Sequence, residues 1–317
     1  MHISNKLHIA YDPIYLKWKL GYYGEEHPTN PIRAKYATDI LSKDYDVKFV
    51  IPSISDTDRY LLESIHSNEY VSKVLDQGHC GEWEPDNTLL GRVAFHMFAG
   101  TVRLVEKMIA GDARVCFNPQ GAKHHAQYDH SSGFCVFNDM AWAAKEFHKN
   151  GMKVVYIDWD AHHGDGVENL LSNEPDIITC SIHDGNIFPG TGVNGHEPDK
   201  GIYNWALDHG AGDIEFVSAM CDIEDIVSQA KPDVILVAAG ADAHISDPLS
   251  TLNFDYPGYA FAANMVGRLA NTYSENRVLI GGAGGYQPFD HTPAIWAHVV
   301  SGIYDAAAGS SSVPAVV

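Results

Sequence analysis

The sequence predicts an α/β protein built on one open, doubly wound parallel sheet with helices on both faces. Short apolar runs rich in β-branched residues alternate with longer amphipathic stretches, as expected of strands covered on both sides. Polar, glycine-rich segments follow these apolar runs at their carboxyl ends. No internal repeat or mid-chain linker interrupts the 317 residues. The chain therefore predicts one domain, residues 1–308, and a flexible tail at Gly309–Val317.

Six segments are predicted as strands because each is short, apolar and bounded by turn residues. In chain order they are Val47–Pro52, Ala113–Asn118, Lys153–Asp158, Asp176–His183, Asp233–Gly240 and Arg277–Gly282.

Amphipathic periodicity predicts five helices between and after these strands. Asp139 is the predicted N-cap of the second helix, and Gly151 follows its end as a C-terminal glycine does. The five segments are Leu89–Ala110, Asp139–Asn150, Ile214–Gln229, Tyr256–Glu275 and Thr292–Ala307.

The formal net charge of −20 argues against a nucleic-acid-binding surface, which needs clustered lysine and arginine. Cationic or neutral ligands remain as partners, although the charge is equally consistent with solubility alone. No segment has the length of a membrane span, and the first residues lack the apolar run of a signal peptide. The scattered cysteines, odd in number and without a C-x-x-C pair, favour a reducing compartment and hence the cytoplasm. They are Cys80, Cys116, Cys135, Cys180 and Cys221.

Five polar segments follow predicted strands, and in an open α/β sheet that edge binds ligands. We therefore expect their loops to converge on one site. The segments read NPQGAKHHA, DWDAHHGDG, HDGNIFPGTG, GADAHISDP and GGAGGYQPF.

Asp160, His162 and Asp242 are the predicted metal ligands. Asp160 and His162 are two apart on an extended segment, so that both side chains point to one side. Asp242 supplies a matching ligand at the end of another strand. Two carboxylates and one imidazole predict an open hydrolytic site for Zn²⁺ or a similar divalent ion. A D-x-H pair alone is more often structural. Its combination with KHHA and GADAHISDP is a strong signal of a metal site.

The doublet His124–His125 is the predicted acid–base equipment, because an imidazole beside an activated water can take its proton and return it to a leaving amine. Two such imidazoles need carboxylates to fix their ring tautomers, and Asp158 and Asp165, on the segment that also carries Asp160 and His162, are available for that role. Alternatively, one of the two histidines could serve only as a hydrogen-bond partner for buried backbone groups. This alternative remains open for one of them but not for both. Tyr286, after a glycine run, predicts a hydroxyl donor to an oxyanion, and a core tyrosine beside a tight turn is the alternative.

Phe134 and Phe188 each lie in a glycine-flanked loop at the same edge. Two facing rings would form a narrow apolar slot for a slender aliphatic chain, whereas either ring taken singly would be ordinary packing. The glycine run before Tyr286 does not fit G-x-G-x-x-G, which excludes a dinucleotide site of that type.

Taken together, these motifs resemble the histone deacetylase superfamily, the zinc-dependent amidohydrolases that share a fold with arginase. Its members include acetoin-utilisation-like proteins and acetylpolyamine amidohydrolases. The resemblance runs from HPTNPIRAKY (His27–Tyr36) and SIHSNEYV (Ser64–Val71) to GGYQPF (Gly284–Phe289), nearly the whole chain. The motifs between them are HHA, GFCVFND, DWDAHHGDG, FPGTG and GADAHISDPL.

The resemblance implies a role for each of these residues. Asp160, His162 and Asp242 match the zinc ligands, a site that Fe²⁺ or Co²⁺ can also fill. His125 matches the proton-shuttling histidine, His124 the mainly electrostatic one, and Tyr286 the tyrosine that polarises the substrate carbonyl. The remaining matches are Asp158 and Asp165 behind the imidazoles, Phe134 and Phe188 as tunnel walls, Gly133 beside them and Leu249 at the rim. A structural K⁺ is also implied, held by carbonyls of Asp158, Asp160, His162 and Ile182 and by the Ser181 hydroxyl.

This chain departs from the pattern at three positions. Lys123 stands where relatives carry a neutral residue, and we expect its charge to lower the pKa of the adjacent imidazole. Ala283 interrupts the glycine run. Leu249 replaces a glutamate with which some polyamine-preferring relatives hold a distant ammonium.

The resemblance implies removal of an acyl group, first of all acetyl, from an amine on a slender stem. Acylated lysine in proteins or peptides is the first expected substrate, and small acylated amines or polyamines are the second. The segments Tyr11–Thr29 and Gly78–Asn87 are expected to shape the entrance. The sequence leaves the oligomeric state open.

Two rivals remain. A dinuclear manganese ureohydrolase has the same architecture but needs extra bridging carboxylates. A catalytically idle protein that binds acylated amines or metal would have no need of both Tyr286 and His125.

Overall fold

The computed structural model describes residues 6–20, 27–55 and 57–309, and it confirms the predicted open parallel sheet with helices on both faces. The described residues form eight strands in the spatial order β2-β1-β3-β8-β7-β4-β5-β6. They are β1 (Leu7–Ala10), β2 (Val47–Val50), β3 (Val115–Asn118), β4 (Val154–Asp158), β5 (Ile177–Asp184), β6 (Ile202–Leu207), β7 (Val234–Ala238) and β8 (Val278–Gly281).

Two apolar clusters lie on the two sides of the sheet. Alternate residues of β7 divide between them, Leu236 in one cluster and Ile235 and Val237 in the other, as the period of a strand requires. The first cluster lies beneath α2 (Asp58–Glu63), α3 (Asn68–Ser72), α4 (Thr88–Ile109), α5 (Asp139–Lys149) and α6 (Asp165–Leu171). The second lies beneath α1 (Ile32–Asp44), α7 (Asp213–Ala230), α8 (Tyr256–Tyr273) and α9 (His291–Ala307).

All six predicted strands and five predicted helices are present, with ends that shift by a few residues. The sequence analysis missed β1, β6 and the four helices α1, α2, α3 and α6. β1 has only four residues, one of them His8, and β6 is a partly exposed edge strand. The predicted tail Gly309–Val317, apart from its first residue, lies outside the described residues, as do residues 21–26 of Tyr11–Thr29.

The predicted N-cap of α5 is wrong by one residue. Asn138 caps the helix, and its side-chain oxygen accepts the Ala141 N–H at 3.0 Å. Asp139 is buried instead, where it accepts the Thr101 hydroxyl at 2.6 Å and the Lys123 N–H at 2.8 Å. It thereby holds the start of the segment that carries the histidine pair. Gly151, with φ +77°, ends the helix as predicted.

The strand order explains why the polar segments meet. β3, β8, β7, β4 and β5 are consecutive neighbours in the sheet, and each precedes one of the five predicted loops. Since these strands are parallel, all five loops leave from the same edge. Across the described ranges, no helix has the length and apolar character needed to span a bilayer.

Candidate active site

The structure brings Asp160, His162 and Asp242 together at the ends of β4 and β7. His162 Nδ1 lies 3.1 Å from Asp160 Oδ1 and 2.9 Å from Asp242 Oδ2. One donor atom from each residue lies within 4.8 Å of the others, and all three side chains are buried. The predicted ligands thus form a compact three-donor group at the carboxyl edge of the sheet.

Backbone N–H groups orient both carboxylates. Asp160 accepts the Gly284 N–H at 2.6 Å, and Asp242 accepts the Ala161 N–H at 2.9 Å. A Cβ at Gly284 would overlap the carboxylates of Asp160 and Asp242. Only glycine therefore allows the loop after β8 to close over the acidic pair.

The chemistry of this group fits a divalent cation. Burial and the negative charge of Asp160 raise the pKa of Asp242 to about 7. Two buried carboxylates this close repel each other, and a bound cation removes that penalty. Two carboxylate oxygens and one imidazole nitrogen are the donors of open zinc sites.

The two predicted His–Asp pairs are both present. His124 Nδ1 lies 2.8 Å from Asp158 Oδ2, and His125 Nδ1 lies 2.7 Å from Asp165 Oδ1. The histidine rings are 4.0 Å apart, and His124 Nε2 is 3.7 Å from Asp160 Oδ1. Each ring therefore has its Nδ1 held by a carboxylate, which leaves Nε2 as its other hydrogen-bonding atom.

The two histidines differ in charge. Burial lowers the pKa of His124, but the carboxylates of Asp158 and Asp160 outweigh it and raise the pKa to about 9. Burial and the neighbouring His124 lower the pKa of His125 to about 4. A neutral imidazole thus lies beside a cationic one at neutral pH.

The pKa of His124 is raised, and the groups that shift it most are its burial and the nearby aspartates, not Lys123. The effect expected of Lys123 on this imidazole therefore stays a prediction. The Lys123 ammonium lies over the Trp18 ring, 6.0 Å from its centroid. The aspartates dominate the pKa of His124 because Asp158 hydrogen-bonds to the ring at 2.8 Å and the Asp160 carboxylate lies 3.7 Å from it.

Tyr286 and the predicted tunnel residues line one pocket of about 410 Å³ that reaches the metal group. Tyr286 is 6.2 Å from Phe134 and 6.4 Å from His162 between ring centroids, and Phe188 is 5.1 Å from His125. Burial raises the pKa of Tyr286 well above its usual value, so the phenol remains a hydrogen-bond donor. The lining residues are Glu82, His125, Gly133, Phe134, His162, Ile187, Phe188, Leu249 and Tyr286.

Gly133 and Phe134 both adopt left-handed backbone conformations, with φ of +54° and +63°. A Cβ at Gly133 would overlap the His125 ring, so glycine is required for this close approach. The turn directs the Phe134 ring into the pocket beside Tyr286.

The residues predicted for potassium lie at adjoining strand ends. Asp158 of β4 is in register with Ser181 of β5. The Ser181 hydroxyl lies 3.0 Å from His183 Nδ1.

Sequence reasoning missed three residues around the site. Glu82 lines the pocket from the predicted entrance segment Gly78–Asn87. Asp247 accepts the Tyr286 N–H at 2.8 Å, and Arg33 donates to the Gly285 carbonyl at 2.5 Å. Asp247 lay inside a quoted motif, but nothing in the sequence distinguished its carboxylate from a solvent-exposed one.

Comparisons with known proteins identify the chain as a hydrolase that acts on amide bonds. The chain belongs to the histone deacetylase family, because the histone deacetylase domain matches residues 27–303. It is 30% identical over 315 residues to the acetoin utilization protein AcuC of Bacillus subtilis (strain 168), covering 91% of this chain and 80% of that protein. It is 29% identical to AcuC of Staphylococcus aureus (strain MRSA252), covering 99% of this chain and 85% of that protein.

The fold is also that of a solved structure. The crystal structure of the HDA15 HD domain superposes with a TM-score of 0.78 at 24% identity and covers 95% of each chain. The predicted arginase-deacetylase fold and the resemblance to the histone deacetylase superfamily are confirmed.

Proposed function

We propose that this chain is a zinc-dependent amidohydrolase that removes an acyl group, first of all acetyl, from a lysine side chain or a similar aliphatic amine. The observation that carries the proposal is that His125, His162 and Tyr286 line one pocket whose walls are largely apolar. A base, a metal ligand and a phenol donor thus face the same small volume.

Asp160, His162 and Asp242 would hold the metal, and their donor set favours Zn²⁺ while also accepting Fe²⁺ or Co²⁺. A divalent ion bound there would polarise the amide carbonyl and make water a better nucleophile. A structural K⁺ would be held by the carbonyls of Asp158, Asp160, His162 and Ile182 and by the Ser181 hydroxyl. Its charge would lie beside the carboxylate that backs His124.

In the proposed reaction His125 moves the proton. Its neutral Nε2 accepts a proton from the attacking water, while Asp165 fixes Nδ1 and stabilises the imidazolium. The water oxygen bonds to the carbonyl carbon, the carbon–nitrogen bond breaks, and the imidazolium gives its proton to the departing amine. The products are a carboxylate and a free amine.

Tyr286 and His124 stabilise negative charge in this scheme. The Tyr286 hydroxyl donates to the carbonyl oxygen as that oxygen becomes anionic. Cationic His124, held by Asp158, contributes a nearby positive charge. The aliphatic stem of the substrate is enclosed and shielded from water by the pocket walls, which are Phe134, Phe188, Gly133 and Leu249.

The decisive experiment is turnover of an acetyl-lysine peptide by the zinc-loaded protein. Tyr286→Phe should lower kcat by about a hundredfold to a thousandfold, the usual cost of one oxyanion donor. Tyr128→Phe, at an exposed tyrosine outside the site, should have no effect.

Two outcomes would contradict the proposal. A hydroxamate that binds without any turnover of acylated amines would favour the catalytically idle binder. Two metal equivalents per chain by elemental analysis would favour the dinuclear ureohydrolase, whereas one equivalent agrees with the single three-donor group among the described residues.

A further inference from the structure

A groove of about 530 Å³ lies between the edge strand β2 and the last two turns of α4. Among the described residues, it shares no lining residue with the active-site pocket. Three residues that line this β2 groove are basic, namely Lys48 of β2 and Arg103 and Lys107 of α4. Arg103 is already paired, because its guanidinium contacts the carboxylates of Asp58 and Glu106. The two lysines are therefore the cations of the groove that a ligand can bind.

Neither lysine ammonium is neutralised by the part of the chain that the structure describes. Within it, the side chains of Lys48 and Lys107 form no ion pair and no hydrogen bond. Asp112 is the one carboxylate in the described lining without a cationic partner. Elsewhere on the chain, lysines such as Lys6 and Lys35 do pair with aspartates. Two free ammonium groups against one free carboxylate make the groove locally positive on a chain of net charge −20.

His8 lies beneath the groove and is oriented toward it. His8 is in register with Lys48, and Ala10, two residues further along β1, belongs to the apolar cluster beneath α4. The side chains of His8 and Lys48 therefore point to the α4 face of the sheet. The His8 ring is fully buried, and its Nδ1 lies 3.0 Å from the Lys6 carbonyl oxygen. Nδ1 thus carries the proton, and Nε2 is left without a hydrogen-bond partner among the described residues.

The charges around His8 come from the same groove. Burial lowers the pKa of His8, the ammonium groups of Lys48 and Lys107 lower it further, and Asp112 raises it. On the other side of β1, Cys116 of β3 is in register with His8, and burial raises the pKa of its thiol, which stays neutral. A buried nitrogen without a partner beside two cations costs free energy. An anion between the lysines relieves this cost, because its charge favours a protonated His8 whose Nε2–H donates to it.

We propose that the β2 groove binds the phosphate group of a small organic phosphate through Lys48, Lys107 and His8. A phosphate dianion offers three acceptor oxygens, which matches three converging donors better than a carboxylate does. The groove is larger than one phosphate group, and Ile51 and Ala110 supply apolar wall for the rest of the ligand. This site is separate from the deacylation proposed above, and neither depends on the other.

Calorimetric titration of the zinc-loaded protein at low ionic strength tests the site, because salt screens exposed charges. Phenyl phosphate, which joins a phosphate to an apolar ring, should bind to the wild-type protein. Lys107→Gln should weaken this binding about tenfold or more, as expected for the loss of one hydrogen bond between charged groups. Lys43→Gln removes an equal charge from an exposed position on α1 and should bind as wild type does. Inorganic phosphate should bind less tightly because it makes no contact with the apolar wall.

The participation of His8 has its own readout. Phenyl sulfate keeps a constant charge near neutral pH, so a change in its affinity with pH reports a group on the protein. It should bind more tightly at about pH 6 than at about pH 8, because the anion favours protonated His8. His8→Asn keeps a donor to the Lys6 carbonyl but cannot take up a proton, and it should remove most of this pH dependence. An unchanged pH dependence would exclude His8 from the site.

If His8→Asn does not fold, proton uptake by the wild-type protein gives the same information. Titrations in buffers of different ionisation enthalpy should show that protons are taken up when phenyl sulfate binds. Binding without proton uptake would exclude His8 as the group that is protonated.

Three further results would overturn the inference. Equal affinities of wild type and Lys107→Gln for phenyl phosphate would place the ligand elsewhere, for example on the metal. No binding at millimolar concentration would mean that the groove is only a solvated surface. Equal affinities for inorganic and phenyl phosphate would make the free ion the ligand. None of these measurements depends on hydrolysis of an amide, so the proposed function is tested separately.

Discussion

At the scale of single residues, Tyr286 is held through its backbone. The carbonyl of the Gly285–Tyr286 peptide accepts from Arg33 at 2.5 Å, and its N–H donates to Asp247 Oδ2 at 2.8 Å. Gly285 has φ +137°, and a Cβ there would overlap Thr292. The buried side chains of Arg33 and Asp247 thus fix the plane of the peptide between Gly285 and Tyr286. The orientation of this peptide determines the direction of the Tyr286 side chain.

Asp247→Asn should therefore lower kcat by about tenfold with little change in KM. Asp247 accepts two N–H groups, from Tyr286 through Oδ2 and from Leu249 through Oδ1 at 3.0 Å. The amide of asparagine has one acceptor oxygen and would face one of the two donors with its NH₂. Because the effect acts through Tyr286, it should largely disappear in the Tyr286→Phe background, as steady-state kinetics of the double-mutant cycle would measure.

Additive losses in that cycle would show that Asp247 acts independently of Tyr286. Unchanged zinc content of Asp247→Asn is the control, because it shows that the neighbouring metal ligands are intact.

At the scale of elements, the site residues that follow strongly apolar strands could be predicted from the sequence. β4 and β7 are buried throughout, so their ends and the ligands after them were predictable. Glu82 was not, because a long-range contact with Phe134 puts it in the pocket. β1 was missed because four residues are too few to show a clear strand pattern. β6 was missed because a partly exposed edge strand mixes apolar and polar residues. The raised pKa of His124 depends on its distances from Asp158 and Asp160, which sequence spacing does not give.

His66 links three elements around the pocket. Its Nδ1 lies 2.8 Å from the Gln127 carbonyl, and its Nε2 accepts the Asn138 N–H at 2.9 Å. It thus connects the segment between α2 and α3 with the segment after His125 and the N-cap of α5. Only a neutral ring can make both bonds, and burial lowers its pKa to about 4.

Protonation of His66 should destabilise the fold in acid. Its pKa is lowered in the folded state and ordinary, near 6.5, in the unfolded state. The unfolded chain therefore binds the proton first, and stability is full above pH 6.5 and falls as the pH drops toward 4. Between pH 7 and 5 the loss from this group is about 2 kcal/mol. Urea unfolding at both pH values would measure it.

His66→Gln should be less stable than wild type at pH 7 but should lose about 2 kcal/mol less on acidification. His130→Gln, at an exposed histidine, is the matched control. An equal pH response of wild type and His66→Gln would contradict the assignment.

At the scale of the whole molecule, the metal group joins neighbouring strands through their loops. Asp160 and His162 follow β4, Asp242 follows β7, and the Gly284 N–H that holds Asp160 follows β8. An ion bound there would connect the centre of the sheet and remove the repulsion between two buried carboxylates.

Zinc should therefore raise the melting temperature. A ligand that binds only the folded state at about a hundred times its Kd stabilises it by about 2.7 kcal/mol. Calorimetry with and without Zn²⁺ should show a rise of several degrees for wild type and none for Asp242→Ala. Asp208→Ala, at an exposed carboxylate, should respond as wild type does. An equal rise in Asp242→Ala would locate zinc binding elsewhere.

The strand order also constrains when the protein can become active during its synthesis. β8 follows the other seven described strands in the chain and enters the middle of the sheet between β3 and β7. Until residues 278–286 have emerged, the nascent chain can form only two separate half-sheets, and neither Gly284 nor Tyr286 is available. Activity therefore cannot appear before this segment has emerged, and a chain stopped before Val278 would expose two unpaired inner edges, on β3 and β7, to aggregation.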